Sequence, residues 1–432
     1  MAVFSRDMAD GHASGSSYRW VVLVVAFLVH ATTIALVWNS VPPLKQAMAP
    51  TLGTGWESVA LVYAAFSFGL ILTQLPGGAL GDRYPVRYVV GLGGVLAGLA
   101  TALRFVVPTL EGQVAVSVVA TVGMGLVNPN LVKVVTEWFP PEQLGLGQGV
   151  LLSGNTLGSG LALSVSAGAA LELLGSWQGV FLVYGALTVG TGLLWMTTVR
   201  SPRGDERPAD PGTGMPFRTG ESVPLRESVS AVFRAPSTKW AVALAGILFW
   251  AMFGSLSVLP EFADVQPYAV PELYLGIPLY VAVGGALAIP ALSDRVGRVP
   301  VLRVGILCYA ASLVVTGFAP SLAVFVLGLL VAGFSSGGLV AMLYVLPGEL
   351  RDIDGAHVGT MSGVLLSLAN VGAVAATATS ARVLSAFGIE LGTLFVAVPC
   401  LLGLVPVAKL RLGEGREEPS AVAAELGDGT GR

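Results

Sequence analysis

Long apolar segments recur along this chain, and their length and number restrict its fold more than any other feature. A helix that crosses a bilayer needs about 20 mostly apolar residues. Segments of that kind fall at roughly 19–41, 57–79, 87–108, 113–136, 145–170, 178–199, 239–260, 273–293, 301–319, 321–345, 358–386 and 391–409. The expected fold class is therefore all-α integral membrane, with twelve transmembrane helices. Composition agrees: 11% of residues are charged and mean hydropathy is +0.77, against about 25% charged in soluble domains. Glycines inside the segments, such as Gly91, Gly93, Gly94 and Gly98, weaken a soluble helix but let helices in lipid approach closely. The first segment is too long for a signal peptide's apolar core and reads as a first spanning helix. Cys308 and Cys400 both lie in apolar segments without metal spacing, so packing is their expected role.

The connections are short except for 200–238, a stretch rich in Pro, Gly, Ser, Arg and acids that reads as a solvated linker. The expected organisation is a tail (1–18), a six-helix bundle (19–199), the linker, a second six-helix bundle (239–409) and a second tail (410–432). Basic residues favour the cytoplasmic side of a membrane protein. With both termini cytoplasmic, only Lys45, Arg104 and Arg382 of the 23 Lys and Arg fall outside. The last two are expected to snorkel outward to the interface. A cell-membrane location follows. The net charge of −3 offers nothing to nucleic acid.

The two halves repeat each other. Gly78 to Arg87 reads GALGDRYPVR, and Pro290 to Val299 reads PALSDRVGRV. Asp82 and Asp294 stand 212 positions apart, as do Glu137 and Glu349, and Gly149-Val-Leu-Leu-Ser153 recurs 214 positions on as Gly363-Val-Leu-Leu-Ser367. Two parallel six-helix repeats are expected to meet about an axis along the membrane normal, with a site between them at mid-depth.

On these residues the chain resembles the major facilitator superfamily (MFS) of transporters. That family's turn motif, G-x-x-x-D-[RK]-x-G-[RK]-[RK], is met here by Gly78, Asp82, Arg83 and Arg87, with Pro85 and Val86 in place of Gly and a basic residue. The second copy keeps Asp294, Arg295, Gly297 and Arg298 but starts at Pro290. The resemblance implies the MFS fold, alternating access, and a cavity lined mainly by helices 1, 4, 7 and 10. It also implies a cytoplasmic latch: Asp82 at the N-terminus of helix 11, Asp294 at that of helix 5, favoured by the helix dipole. Arg83 or Arg87 would pair with Glu137, and Arg295 or Arg298 with Glu349. The plainer reading of both motifs is a solvated positive-inside turn.

Ionisable residues deep in a membrane are costly and mark function, and few occur here. His30 lies near the middle of helix 1. Its unperturbed pKa near neutrality makes it the candidate for a coupling proton; a hydrogen-bonded packing histidine is the competing reading. Helix 4 carries Asn128-Pro129-Asn130 and Lys133, where Pro129 is expected to free a carbonyl toward a cavity. Asn130, Lys133 and Glu137 share one helix face. The favoured reading pairs Lys133 with Glu137 at i+4; the alternative turns the Asn residues and Lys133 toward an anionic solute. Further cavity candidates are Asn39, Gln74, Asn155, Trp250, Tyr344 and Asn370. For any one of them, interhelical packing is favoured over ligand contact. The nitrate carriers' arginines in helices 2 and 8, the drug antiporters' Gly-Pro pair and the full sugar-porter signature are all missing.

The expected function is secondary active transport of a small polar or organic solute, an anion first, coupled to a proton or other ion, by a monomer in the lipid bilayer. A drug or metabolite efflux antiporter and a non-transporting sensor or lipid-handling protein of the same fold are the alternatives. The three histidines (His12, His30, His357) are scattered, so no enzyme, cofactor or metal site is expected.

Overall fold

A computed structural model describes residues 17–202, 225–353 and 357–412, apart from the side chains of a few helical residues that include Asp82 and Asp294. The latch contacts expected of those two aspartates, His12, both tails almost entirely and the middle of the linker thus lie outside the described residues.

In lipid, every backbone amide and carbonyl must find its partner inside the chain, which restricts a spanning segment to helix. Among the described residues the protein is helical with no named strand; Leu350 and Leu412 form one isolated bridge. The first half contains α1 (Tyr18–Asn39), α2 (Trp56–Arg83), α3 (Val86–Leu103), α4 (Leu110–Trp138), α5 (Pro141–Val165) and α6 (Trp177–Thr198). The second contains α7 (Pro236–Asp264), α8 (Ile277–Val296), α9 (Arg298–Gly317), α10 (Leu322–Glu349), and α11 and α12. These last two run without a loop through Val358–Leu401, but Gly388 breaks them at φ 80°, ψ −179°. The break resolves what looks like a single 50-residue apolar helix, 360–409, into two crossings of ordinary length.

The repeat seen in sequence is a repeat in packing. In the first half α2 and α3 both pack on α4, and α1 on α5; in the second α8 and α9 pack on α10, and α7 on α11. Close approach depends on glycine: a Cβ at Gly93 of α3 would lie 2.8 Å from the Gly123 carbonyl oxygen of α4. Between the halves, α2 meets α11 and α5 meets α8.

The two motif turns differ in backbone. Between α8 and α9, Gly297 adopts φ 92°, ψ 151°, a region that disfavours residues with a side chain. Its counterpart Pro85 adopts φ −56°, ψ 121°, with Tyr84 extended before it. The complementary departures from the family motif are thus two ways of closing one turn.

Three expectations need correction. Arg104 does not snorkel: it is fully buried, donating to Gln113 Oε1 at 2.9 Å and Ser117 Oγ at 2.6 Å between the rings of Phe66 and Phe181. Lys45 does not sit in an open external loop; it lies buried on a short helix, Val41–Thr51, that follows α1. The linker is not wholly solvated, because Leu225–Arg234 is helical, with Val232 in the core of the second half and Ser228 Oγ 3.2 Å from His357 Nδ1. Arg382 is exposed.

Candidate transport cavity

Between the halves lies a cavity of about 320 Å³ lined by residues of α1, α2, α4, α5 and α7 to α11. His30, Asn39, Gln74, Asn128, Asn155, Tyr344 and Asn370 all line it. Asn130, Lys133 and Trp250 do not.

α1 is the element that brings polar groups together. From His30 to Leu36 it winds as a π-helix, a distortion found often at functional sites. The buried His30 ring has Nδ1 2.9 Å from the Leu151 carbonyl oxygen on α5 and Nε2 3.2 Å from Asn128 Oδ1 on α4. Two turns on, Asn39 Nδ2 donates to Ser159 Oγ at 2.8 Å, and Tyr63 OH donates to Asn39 Oδ1 at 2.9 Å. Asn39 therefore ties α1 to both α5 and α2.

The second half supplies mostly ring and alkyl surface. Phe253 of α7 stacks on Trp38 with centroids 5.0 Å apart and planes at 24°, and Phe249 adjoins it. Tyr309 OH and Ser255 Oγ lie 3.1 Å apart, and Asn370 Nδ2 donates to Leu366 O at 2.8 Å. No Asp, Glu, Lys or Arg lines the cavity among the described residues. Such a site grips a ligand through apolar contact and a few placed polar groups. Sequence reasoning missed Ser159, Tyr309, Phe249 and Phe253; the aromatics look like ordinary apolar residues of a span and carry no separate signal.

α4 corrects two expectations. The carbonyl freed by Pro129 is that of Gly125, which faces α2: a Cβ at Gly77 would sit 2.0 Å from it. Asn130, fully buried, donates to Gly77 O at 2.9 Å and to Leu126 O at 2.8 Å. Lys133 Nζ reaches Gly81 O at 2.9 Å. Asn130 and Lys133 thus fasten α4 to the end of α2 beside the first motif, while Asn128 alone turns to the cavity. Trp250 donates to Phe395 O at 3.2 Å, away from the cavity.

At the motif end, Arg298 grips Glu349, with Nε 2.8 and 3.0 Å from the two carboxylate oxygens and Nη2 2.7 Å from Oε1. It also reaches Pro290 O and Ser293 Oγ. Counted from Asp82, the position of Arg298 falls to Val86, so the first copy lacks this arginine. Arg87, one residue on, donates instead to Met196 O of α6. Arg83 and Arg295 are exposed, and Gly78 packs beside Pro129.

The halves are joined at the opposite end. Lys45 Nζ lies 3.0 Å from Glu261 Oε2 and also reaches Ser257 O. A π-helical turn at Ser166–Ala170 presents the Ala167 amide to Glu272 Oε1 at 2.6 Å. Ser164 Oγ donates to Leu273 O at 3.0 Å, and a Cβ at Gly160 would lie 2.4 Å from Tyr280 Cε1. Toward the motif end the same face of α5 behaves differently. Gly149 lies one turn before Leu152 and two turns before the cavity residue Thr156, and its repeat mate Gly363 lies one turn before Leu366; among the described residues an added Cβ at either would meet nothing within 4 Å.

The family model of the Major Facilitator Superfamily matches residues 23–351. A probable sulfoacetate transporter of Cupriavidus necator is 26% identical over 332 residues, covering 73% of this chain and 75% of that protein. A probable L-galactonate transporter of Escherichia coli is 29% identical over 150 residues, 35% of this chain and 33% of that one. Among solved structures, an inward-facing, unoccupied bacterial homologue of the human lysosomal transporter Spinster superposes with a TM-score of 0.70 at 16% identity, over 91% of this chain and 94% of that one. With a duplicated six-helix fold and a cavity between its halves, the chain belongs to the major facilitator superfamily and is a multi-pass membrane transporter of small solutes, not an enzyme.

Proposed function

We propose that this transporter is a proton-coupled carrier of small organic anions in the cell membrane. It works as a monomer whose two bundles, 19–199 and 239–409, rock about the cavity on either side of the linker 200–238. The motif turns and both termini face the cytoplasm. Arg298 with Glu349, and the Asp82 and Asp294 turns, form the gate on that side.

The observation that carries this reading is the one-sided closure of the cavity. Lys45, Glu261, Glu272 and Tyr280 seal one end, while at the other Gly149 and Gly363 face open space among the described residues. That is the shape of one half-cycle of alternating access. The anionic cargo is supported by the named substrates of the two relatives, sulfoacetate and L-galactonate. The aromatic side of the cavity, Trp38, Phe249 and Phe253, favours an organic acid with some apolar surface over an inorganic ion.

A panel of small sulfonates and sugar acids, each beside a neutral analogue, tests the cargo class by thermal stabilisation of the detergent-purified protein. Stabilisation by acids and not by their neutral analogues supports the reading. Stabilisation by neutral or cationic compounds alone overturns it.

A further inference from the structure

A carrier of anions with no lysine or arginine among the described residues of its cavity must find positive charge elsewhere. His30 is the cavity group whose unperturbed pKa lies nearest neutrality. Its setting limits how it takes up a proton. The Leu151 carbonyl oxygen, 2.9 Å from Nδ1, can only accept, so Nδ1 carries a proton in both charge states. Titration is left to Nε2, whose neighbour at 3.2 Å is the side-chain amide of Asn128.

An amide has an acceptor end and a donor end. When Nε2 is bare, it takes a hydrogen bond from Asn128 Nδ2, and Oδ1 is the end free to meet a solute. When Nε2 is protonated, it donates to Oδ1, and the Nδ2 hydrogens are free instead.

We propose that His30 and Asn128 form a proton-switched anion site, in which protonation of Nε2 turns the Asn128 amide from acceptor to donor toward the solute. This rests on the organic-anion reading above and deepens it. One proton then changes two things at once: the cavity gains a positive charge, and its nearest amide changes from repelling a carboxylate or sulfonate to binding it. No proton passes to the solute; the ring holds it at Nε2 until the anion leaves.

The surroundings leave this role to His30. On α4, Lys133 reaches Gly81 O and Glu137 lies a further turn toward the motif end. Arg87 of α3 is committed to Met196, and Arg104, just past the end of α3, to Gln113 and Ser117. α5 carries no charged residue after Glu142, Tyr184 of α6 meets Ser166, and Tyr309 and Tyr344 line the cavity from the second half.

The test uses proteoliposomes and labelled sulfoacetate, comparing accumulation driven by an acid-outside gradient with solute exchange at equal pH. Wild type should show both. His30→Gln should lose gradient-driven accumulation by about 10-fold or more, the scale of a typical coupling free energy. Asn128→Asp, whose ionised carboxylate only accepts, should weaken sulfoacetate binding by a similar factor. Gradient-driven accumulation that survives in His30→Gln overturns the switch while leaving the carrier reading intact. Wild type that carries neither sulfoacetate nor L-galactonate overturns the carrier reading itself. Nitrogen-15 histidine spectra of the full-length wild type, with His30→Gln for assignment, give a check independent of variant folding. The neutral His30 ring should carry its proton on Nδ1, and a neutral ring protonated on Nε2 refutes the switch.

Discussion

Lys45 and Glu261 form a buried ion pair between the two halves of the transporter, Nζ to Oε2 at 3.0 Å, with side chains only 1% and 4% exposed. The Lys45 ammonium also lies 5.0 Å from the Trp56 ring centroid. Charges taken this far from water hold only while both partners are present. When the halves part at this end, both must be rehydrated, so the pair acts as a latch on the closed side.

Lys45→Met leaves Glu261 as a lone buried carboxylate, and breaking such a pair costs about 3–5 kcal/mol. Lys45→Met should therefore lower the melting temperature sharply. The double variant Lys45→Met/Glu261→Met should recover most of the loss, since an apolar replacement of both partners is often neutral or stabilising. Thermal unfolding in detergent checks the cycle; equal damage in the single and double variants would argue against a paired latch.

Among the described residues Gly149 and Gly363 face open space, so Gly149→Val and Gly363→Val should fold with little change in stability. In the state where the motif end closes, the added bulk obstructs the approach of α8 or α2. Uptake should fall about 10-fold or more, within the range of coupling effects, while solute binding persists. Melting curves, binding and vesicle uptake read the three quantities separately.

Gly160→Leu should do the reverse. Its side chain would collide with Tyr280 of α8, since even a Cβ would lie 2.4 Å from that ring, and the sealed end would be forced apart. Labelling of cysteines introduced on the Lys45 side of the cavity should rise in this variant and not in Gly149→Val.

Arg298 and Glu349 are each about a quarter exposed. Arg298→Lys keeps the charge but loses the fork that meets both carboxylate oxygens. A cost of about 1 kcal/mol in stability is expected for a pair this accessible. The effect on transport should be larger than the effect on melting, because the turn belongs to the proposed gate.

Much of this architecture was legible in sequence because lipid leaves a spanning chain so few options. Segment length predicted the helices, and the 212-residue spacing of Asp82 and Asp294 predicted the parallel halves. His30 and Asn128 each stood out, one as an ionisable residue at depth and the other beside Pro129. Their meeting did not, since it depends on how α1 packs against α4, which neither segment's sequence records. Helical periodicity put Asn130, Lys133 and Glu137 on one face, but cannot say which neighbour that face meets; Asn130 and Lys133 meet α2. Counting basic residues by side put Lys45 and Arg104 outside without revealing that both are buried. Glu261, Gln113 and Ser117, which satisfy them, lie on other helices.

The most direct test of the central claim is accumulation of labelled sulfoacetate or L-galactonate in proteoliposomes, with and without an acid-outside pH gradient. The account predicts concentration of the anion above its external level only with the gradient, and collapse on adding a protonophore. Equal filling regardless of the gradient, or no uptake of either anion, would contradict it.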